Sequence, residues 1–137
     1  MKKVKLLLVT LIIIFCLPSQ VLAGDFDGSK PLLCAIIEIY DCGAEGECEK
    51  ATPEEVDAPR FFKIDFEQKR ISGTLETGQK RTTQIIGMER VDGKLILQGV
   101  DQGTGWSAVI REANGKVTLS GTGDQVVFAV FGACIAQ

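Results

Sequence analysis

The sequence contains no histidine and lacks two other common signatures of chemical activity. Without an imidazole, the chain has no side chain with an ordinary pKa near neutrality to serve as general base, proton shuttle or metal ligand. No Cys-x-x-Cys pair is present for disulfide exchange. The Gly103-Thr104-Gly105 string lacks the remainder of a phosphate-binding motif. These absences argue against nucleophilic, redox and phosphoryl-transfer enzymes, and they predict no bound cofactor or metal.

Positive charge is also scarce outside the first residues. The chain has 15 basic residues, of which Lys2, Lys3 and Lys5 lie near its start, so 12 remain in residues 24–137 against 18 acidic residues, a formal charge of −6. A nucleic acid or an anionic membrane surface would require a basic face. The sequence therefore predicts neither kind of partner.

Residues 1–23 have the three parts of a secretory signal peptide. They have three lysines among their first five residues, continue in an apolar run interrupted only by Thr10, and end in Ala23 after a polar break. The run is shorter than the roughly 20 apolar residues that span a bilayer, and the bulky residues before Cys16 do not fit a lipidation site. We expect cleavage after Ala23, no stable membrane span in the mature chain, and a periplasmic or secreted location. An uncleaved membrane anchor is the alternative.

Four cysteines remain after that cleavage, and an even number in a short exported chain indicates disulfides. We favour Cys42 with Cys48, which closes a short glycine-containing loop, and Cys34 with Cys134, which ties the start of the domain to its last strand. The long loop closed by the second bond is worth roughly 4–5 kcal/mol in chain entropy. A zinc site is the competing interpretation, but its cysteines usually come in pairs spaced by two to four residues.

The segment 30–42 is predicted to be an α-helix. Apolar residues in it recur at spacings of three and four, which is typical of one helical face, and they are Leu32, Leu33, Ile36, Ile37 and Tyr40. Ser29 before Pro31 fits a helix start, and Gly43 fits its end. A strand is the alternative, because isoleucine and tyrosine favour strands.

Residues 43–59 are predicted to form an acidic, solvated loop. A calcium site is the sharper interpretation of these acids, but the alternate Asp or Asn residues and the fixed glycine of an EF-hand loop are missing.

From residue 60 to residue 134 the pattern changes to alternating strands. About seven short apolar-polar segments are separated by turn signals. Two of them, 82–91 and 94–101, flank the Asp92-Gly93 hairpin turn, and Asn114-Gly115 is a second hairpin turn. The nearly continuous apolar run 125–134 indicates a strand buried on both faces, by the sheet and by the helix. The sequence therefore predicts a mainly β domain, an antiparallel meander of about seven strands that curls into a small barrel, with one N-terminal helix and two disulfides. No second domain is expected.

Five strings in residues 24–137 occur together in a known group of proteins. They are residues 26–34 (FDGSKPLLC), the IDF and ISG strings at 64–66 and 71–73, GWS at 105–107, and FGAC at 131–134. With them the chain resembles a family of small exported proteins of Gram-negative bacteria that has no assigned activity. The resemblance implies no catalytic residues. In architecture alone, the expected barrel is similar to periplasmic lysozyme inhibitors and lipocalin-like carriers.

Catalysis by acidic residues alone is the enzymatic alternative. A pair of carboxylates can hydrolyse a glycosidic bond, and the pairs Asp65 with Glu67 and Glu38 with Asp41 are close enough in sequence to be nominated. Nothing distinguishes these acids from the others, so we expect no catalytic residues.

Three residues are candidates for binding. Trp106 is the sole tryptophan and is either a core aromatic that covers glycine or a stacking platform at the mouth of a ligand site. Arg81 belongs to a group of basic residues on the middle strands that either face solvent, pairing with the acidic loop, or meet an acidic partner. Tyr40 is the sole tyrosine and lies in the segment predicted to be a helix.

The residues together predict an exported, non-catalytic binding or interaction protein. An exported or envelope protein is the expected kind of partner, and the oligomeric state is left open. A carrier of a small apolar ligand in the barrel interior is the first alternative, and a carboxylate-dependent hydrolase is the second.

Overall fold

Ten β-strands and their short connections make up residues 24–137, which are the part of the chain described by the computed structural model. The predicted signal peptide, residues 1–23, lies outside the described residues. The strands are β1 Leu32–Gly43, β2 Cys48–Ala51, β3 Phe61–Asp65, β4 Arg70–Thr74, β5 Lys80–Gln84, β6 Gly87–Val91, β7 Lys94–Asp101, β8 Thr104–Arg111, β9 Lys116–Gly123 and β10 Val126–Ala136.

All ten strands belong to one antiparallel sheet that curls into a half-barrel. The order is β5-β4-β3-β1-β10-β9-β8-β7-β6, and β2 pairs with the second half of β1. The first and last strands of this order, β5 and β6, are consecutive in sequence and are separated only by Ile85 and Ile86. The Ile85 amide donates to Lys69 O on one side, and the Ile86 amide donates to Gln98 O on the other. The chain thus crosses from one end of the sheet to the other at these two residues.

The expected mainly β antiparallel fold is confirmed, but the helix predicted over 30–42 is wrong. That segment is β1, and its pairing with β10 is shifted by a β-bulge between Ile36 and Glu38. Before the bulge Leu32 and Cys34 face inward, and after it the buried side chain is Ile39. The spacing that predicted the helix combines residues from both faces of this strand, since Ile37 is 67% exposed on the outer side, and the bulge interrupts the period of two that identifies a strand.

The strand count also differs from the predicted seven. Besides β1, the acidic segment 43–59 contains a short strand, β2, and the predicted strand 82–91 is divided into β5 and β6 at the crossing residues. The Asp92-Gly93 hairpin is present, with positive φ angles of 49° and 69° at the two residues. Both angles are what a two-residue type I′ turn requires.

One half of the interior is filled by side chains. Leu32, Ile64, Leu97 and Ile110 are fully buried there and belong to a single apolar cluster. Phe26, in the segment before β1, packs against this cluster. We call this the packed end of the half-barrel.

The outer face of β1 and β10 is not covered. The predicted burial of the 125–134 run on both faces is therefore wrong, because the helix expected to cover it does not form. Its outward side chains are exposed, including Phe131 at 43% and Ile135 at 63%, as is Ile37 of the bulge at 67%.

Two disulfides join directly paired residues of adjacent strands. Cys34 on β1 is bonded to Cys134 on β10, and Cys42 on β1 is bonded to Cys48 on β2. Cys34 is fully buried at the packed end, whereas Cys42 and Cys48 close the turn that leads into the acidic segment. Disulfides of this kind are typical of oxidising compartments outside the cytoplasm.

Candidate functional site

The end of the half-barrel opposite the packed end contains a partly open cavity of about 260 Å³. Residues 52–60, which we call the strap, connect β2 to β3 and supply part of its wall. The lining is mainly apolar and consists of Ile36, Val56, Ala58, Pro59, Phe62, Ile71, Ser72, Gly73, Arg81, Thr82, Thr83, Asp101, Thr104, Trp106, Leu119, Phe128 and Val130. The cavity is therefore a mainly apolar site with a few polar groups in its wall.

Trp106 on β8 forms a wall of the cavity and is only 8% exposed. Its ring lies over Gly99 of the neighbouring strand β7, where an added Cβ would overlap the ring and the carbonyl oxygen of Gln84. The indole Nε1 donates a hydrogen bond of 3.1 Å to Thr83 Oγ1, which itself donates to Val100 O at 3.2 Å. The ring is therefore fixed by its contacts with both β5 and β7.

Two further wall residues lie over glycines in the same way. Phe128 on β10 covers Gly121 of β9, its partner in the sheet, and Pro59 of the strap covers Gly73 of β4. A side chain at either glycine would push the covering ring away from the sheet and toward the cavity. Strand glycines next to bulky residues thus preserve the open volume.

The strap is held in place by ion pairs and by its own backbone. Arg60 at its end forms ion pairs of 2.7 Å with Glu54 within the strap and with Glu76 in the β4–β5 turn. A hydrogen bond to its own backbone amide and the Arg60 guanidinium hold the pKa of Glu54 below its usual 4.5. The Ala58 amide donates to Pro53 O at 2.8 Å. These contacts keep the strap against the cavity.

An ion pair lies at the rim of the cavity. Arg81 Nε on β5 is 2.8 Å from Asp101 Oδ2 on β7, and Arg81 Nη1 donates to the backbone oxygen of Asp57 in the strap at 2.6 Å. The side chains of Arg81 and Asp101 are 30% and 20% exposed. They are the only two charged residues among those that line the cavity.

The structure brings together two of the three residues predicted to bind. Trp106 and Arg81 both line the cavity. Tyr40 does not: it lies on the outer face, where its ring meets Phe131 edge-on at a centroid distance of 6.3 Å. The predicted contact of basic residues with the acidic segment occurs at Arg81, which donates to the backbone oxygen of Asp57, and Arg60 of the strap forms an ion pair with Glu54 in the same segment.

Two of the four nominated carboxylates have structural partners elsewhere. Glu38 Oε1 accepts a 2.9 Å hydrogen bond from Lys50 Nζ, which raises the pKa of Lys50, and Asp65 Oδ1 accepts one from the Gln68 amide. Neither residue lines the cavity, and the cavity lining contains a single carboxylate, Asp101. Within residues 24–137 no group of three or more cysteine or acidic side chains is arranged to hold a metal ion.

Sequence reasoning missed the partners that give Trp106 and Arg81 their positions. Asp101, Thr83 and Phe128 were not singled out, because they become neighbours only when the sheet curls. The glycines at 99 and 121 carried a signal, since each interrupts a strand and faces an aromatic residue on the next one.

Comparison of the chain with protein-family models, with curated proteins and with solved structures found no match. In the described residues no helix is both long and apolar enough to cross a membrane. The resemblance to a family of small exported proteins therefore stays a prediction.

Proposed function

We propose that this chain is a non-catalytic binding protein that holds one small, mainly apolar molecule in the cavity beneath the strap. The observation that carries the proposal is the cavity of about 260 Å³ itself, with Trp106 as a buried wall. An apolar cavity of about 150 Å³ stays dry and binds benzene. In proportion, this cavity holds a ligand of roughly ten non-hydrogen atoms, which is smaller than a drug-sized molecule.

The division of the interior supports a carrier more than a purely structural barrel. Side chains fill the packed end, so the fold does not depend on a ligand for its core. At the other end, glycines at 73, 99 and 121 lie under Pro59, Trp106 and Phe128 and leave space that larger residues would fill. Because a domain normally packs its interior without large voids, an open apolar volume supports a ligand site.

The hydrolase alternative finds less support at this site. Glycoside hydrolysis by two carboxylates requires them to flank the bond about 5–9.5 Å apart. The cavity lining contains only Asp101, and that carboxylate is paired with Arg81.

We also propose that the chain is exported. The three-part pattern of residues 1–23 and the two disulfides both fit a chain that is cleaved after Ala23 and works in the periplasm or the medium. The family resemblance, which concerns small exported proteins, agrees with this location.

Binding can be tested with 1-octanol, which has an apolar chain and an uncharged head. Trp106 is the sole tryptophan, so its emission reports directly on the cavity. We expect octanol to change this emission saturably and to raise the melting temperature, since a ligand that binds only the folded state stabilises it.

A matched pair of variants on β10 makes the test specific. Val130→Phe fills the cavity from a buried position, whereas Val127→Phe adds the same side chain on the outer face, where Val127 is 44% exposed. Val130→Phe is expected to abolish the octanol response and Val127→Phe to preserve it. Absence of saturable binding to the unmodified chain, or equal responses from both variants, would overturn the proposal.

A further inference from the structure

The two charged side chains at the cavity rim neutralise each other. Arg81 and Asp101 form an ion pair of 2.8 Å, and no other charged residue lines the cavity. We propose that this pair makes the site selective for uncharged amphiphiles and that Asp101 excludes carboxylate ligands of the same shape. The inference rests on the proposed ligand-binding function and names its ligand class.

The position of the pair puts it beside the polar head of a bound ligand. Arg81 and Asp101 line the cavity on one side and a polar surface depression, together with Lys80 and Gln102, on the other. A molecule whose apolar chain lies against Trp106 therefore has its head group at the boundary between the two, next to the ion pair.

The hydrogen bonds of Arg81 explain why an anion gains little there. Its Nε faces Asp101 Oδ2, and its Nη1 donates to the backbone oxygen of Asp57 at 2.6 Å. A ligand carboxylate beside the pair would give up its hydration to meet a guanidinium that is already paired with Asp101, and it would stand close to the Asp101 carboxylate. A hydroxyl group loses far less hydration and can hydrogen-bond either member of the pair.

The same geometry predicts that one substitution reverses the preference. Asp101→Asn keeps the size of the side chain and removes its charge, which leaves the Arg81 guanidinium without a counter-ion at the rim. An arginine in this condition is a strong partner for a carboxylate, because charge-assisted hydrogen bonds are stronger than neutral ones. Asp101 is therefore the residue that sets the ligand class.

The experiment compares 1-octanol with octanoate at neutral pH, where octanoate is ionised, using Trp106 emission on the full chain. We expect the unmodified chain to bind octanol at least about tenfold more tightly than octanoate, a difference of about 1.4 kcal/mol. In Asp101→Asn the ratio of octanoate affinity to octanol affinity should rise by about tenfold or more. Glu89→Gln, at an exposed position on β6 away from the cavity lining, makes the same change in net charge and should leave the ratio unaltered.

The double variant Arg81→Gln with Asp101→Asn tests the role of the arginine. Because it has no cation at the rim to attract octanoate, the ratio of octanoate affinity to octanol affinity should not rise as it does in Asp101→Asn. Equal affinities for the two probes in the unmodified chain, or an unchanged ratio in folded Asp101→Asn, would overturn the inference. If Asp101→Asn does not fold, the comparison of the two probes on the unmodified chain decides. Absence of octanol binding altogether is a different result, and it counts against the proposed function instead.

Discussion

Trp106 on β8 and Thr83 on β5 are joined by a 3.1 Å hydrogen bond from the indole Nε1 to the threonine Oγ1. In the order of the sheet these two strands are far apart, with five strands between them. The bond therefore holds the curled sheet together at the cavity, and it does so with the residue whose ring forms the cavity wall.

Loss of this bond should destabilise the fold. Thr83→Val removes the hydroxyl but keeps the shape of the side chain, so the nearly buried indole Nε1 of Trp106 loses its partner. We expect a cost of about 1–2 kcal/mol in the free energy of unfolding, measured by urea denaturation. Thr83→Ser keeps the hydroxyl and should retain most of the stability. A stability for Thr83→Val equal to that of the unmodified chain would contradict the role of the bond.

Gly99 should be intolerant of any side chain. A Cβ at this position would overlap the Trp106 ring and Gln84 O, so Gly99→Ala is expected to cost about 1–3 kcal/mol and to shift the emission of Trp106. Gly105→Ala is the matched control on β8, because an added Cβ there meets nothing within 4 Å. Similar melting temperatures for both variants would refute this account of the cavity wall.

The strands after residue 60 were predictable because they obey local rules. Their side chains alternate, and turn residues separate them, so β7 was predicted with its observed bounds. The first strand was not predictable in this way, because the bulge between Ile36 and Glu38 disturbs the period of two that identifies a strand. The division of β5 from β6 follows from sheet curling, which is set by distant strands.

Neighbouring residues of β1 provide a direct test of the bulge. Ile39 is 1% exposed and Ile37 is 67% exposed. Ile39→Ala should therefore cost about 2–4 kcal/mol, whereas Ile37→Ala should cost less than about 1 kcal/mol, in chemical denaturation of the two variants. A larger loss at Ile37 than at Ile39 would contradict the register of β1 with β10.

The two disulfides should contribute unequally. Cys34 and Cys134 are separated by 100 residues, and Cys42 and Cys48 by 6. In the chain-entropy account the long loop is worth roughly 4–5 kcal/mol and the short loop roughly 2 kcal/mol. Denaturation of the two Cys→Ala double variants should therefore show the larger loss for Cys34→Ala with Cys134→Ala, and the reverse order would rule out loop entropy as the main cause.

The strap should loosen in acid. The pKa of Glu54 is lowered from 4.5 on folding by its backbone hydrogen bond and by Arg60. A carboxyl group with a lowered pKa contributes stability that is present above its unfolded pKa and is lost as the pH falls through its folded pKa. Glu54→Gln should therefore melt below the unmodified chain at neutral pH, and this difference should shrink as the pH falls below 4.5. A difference in melting temperature that does not change with pH would contradict this assignment.

The sequence predicted only which types of residue belong to the candidate site. The rarity of tryptophan singled out Trp106, and Arg81 was chosen among several bases, but nothing in the sequence placed them at one cavity. Tyr40 was chosen from a segment predicted to be a helix, yet the bulge turns it to the outer face with Phe131. Asp101 could not be identified, because its pairing with Arg81 requires β5 and β7 to meet.

The pairing of β1 with β10 determines which end of the half-barrel faces a support to which the molecule is attached. Leu32 pairs with Ala136, and the Gln137 amide donates to Pro31 O at 2.9 Å, so the start of β1 and the end of β10 lie together at the packed end. A tether or tag joined after Gln137 would hold the molecule at its packed end. The cavity, at the opposite end of the half-barrel, would then lie away from the support and in contact with the surrounding medium.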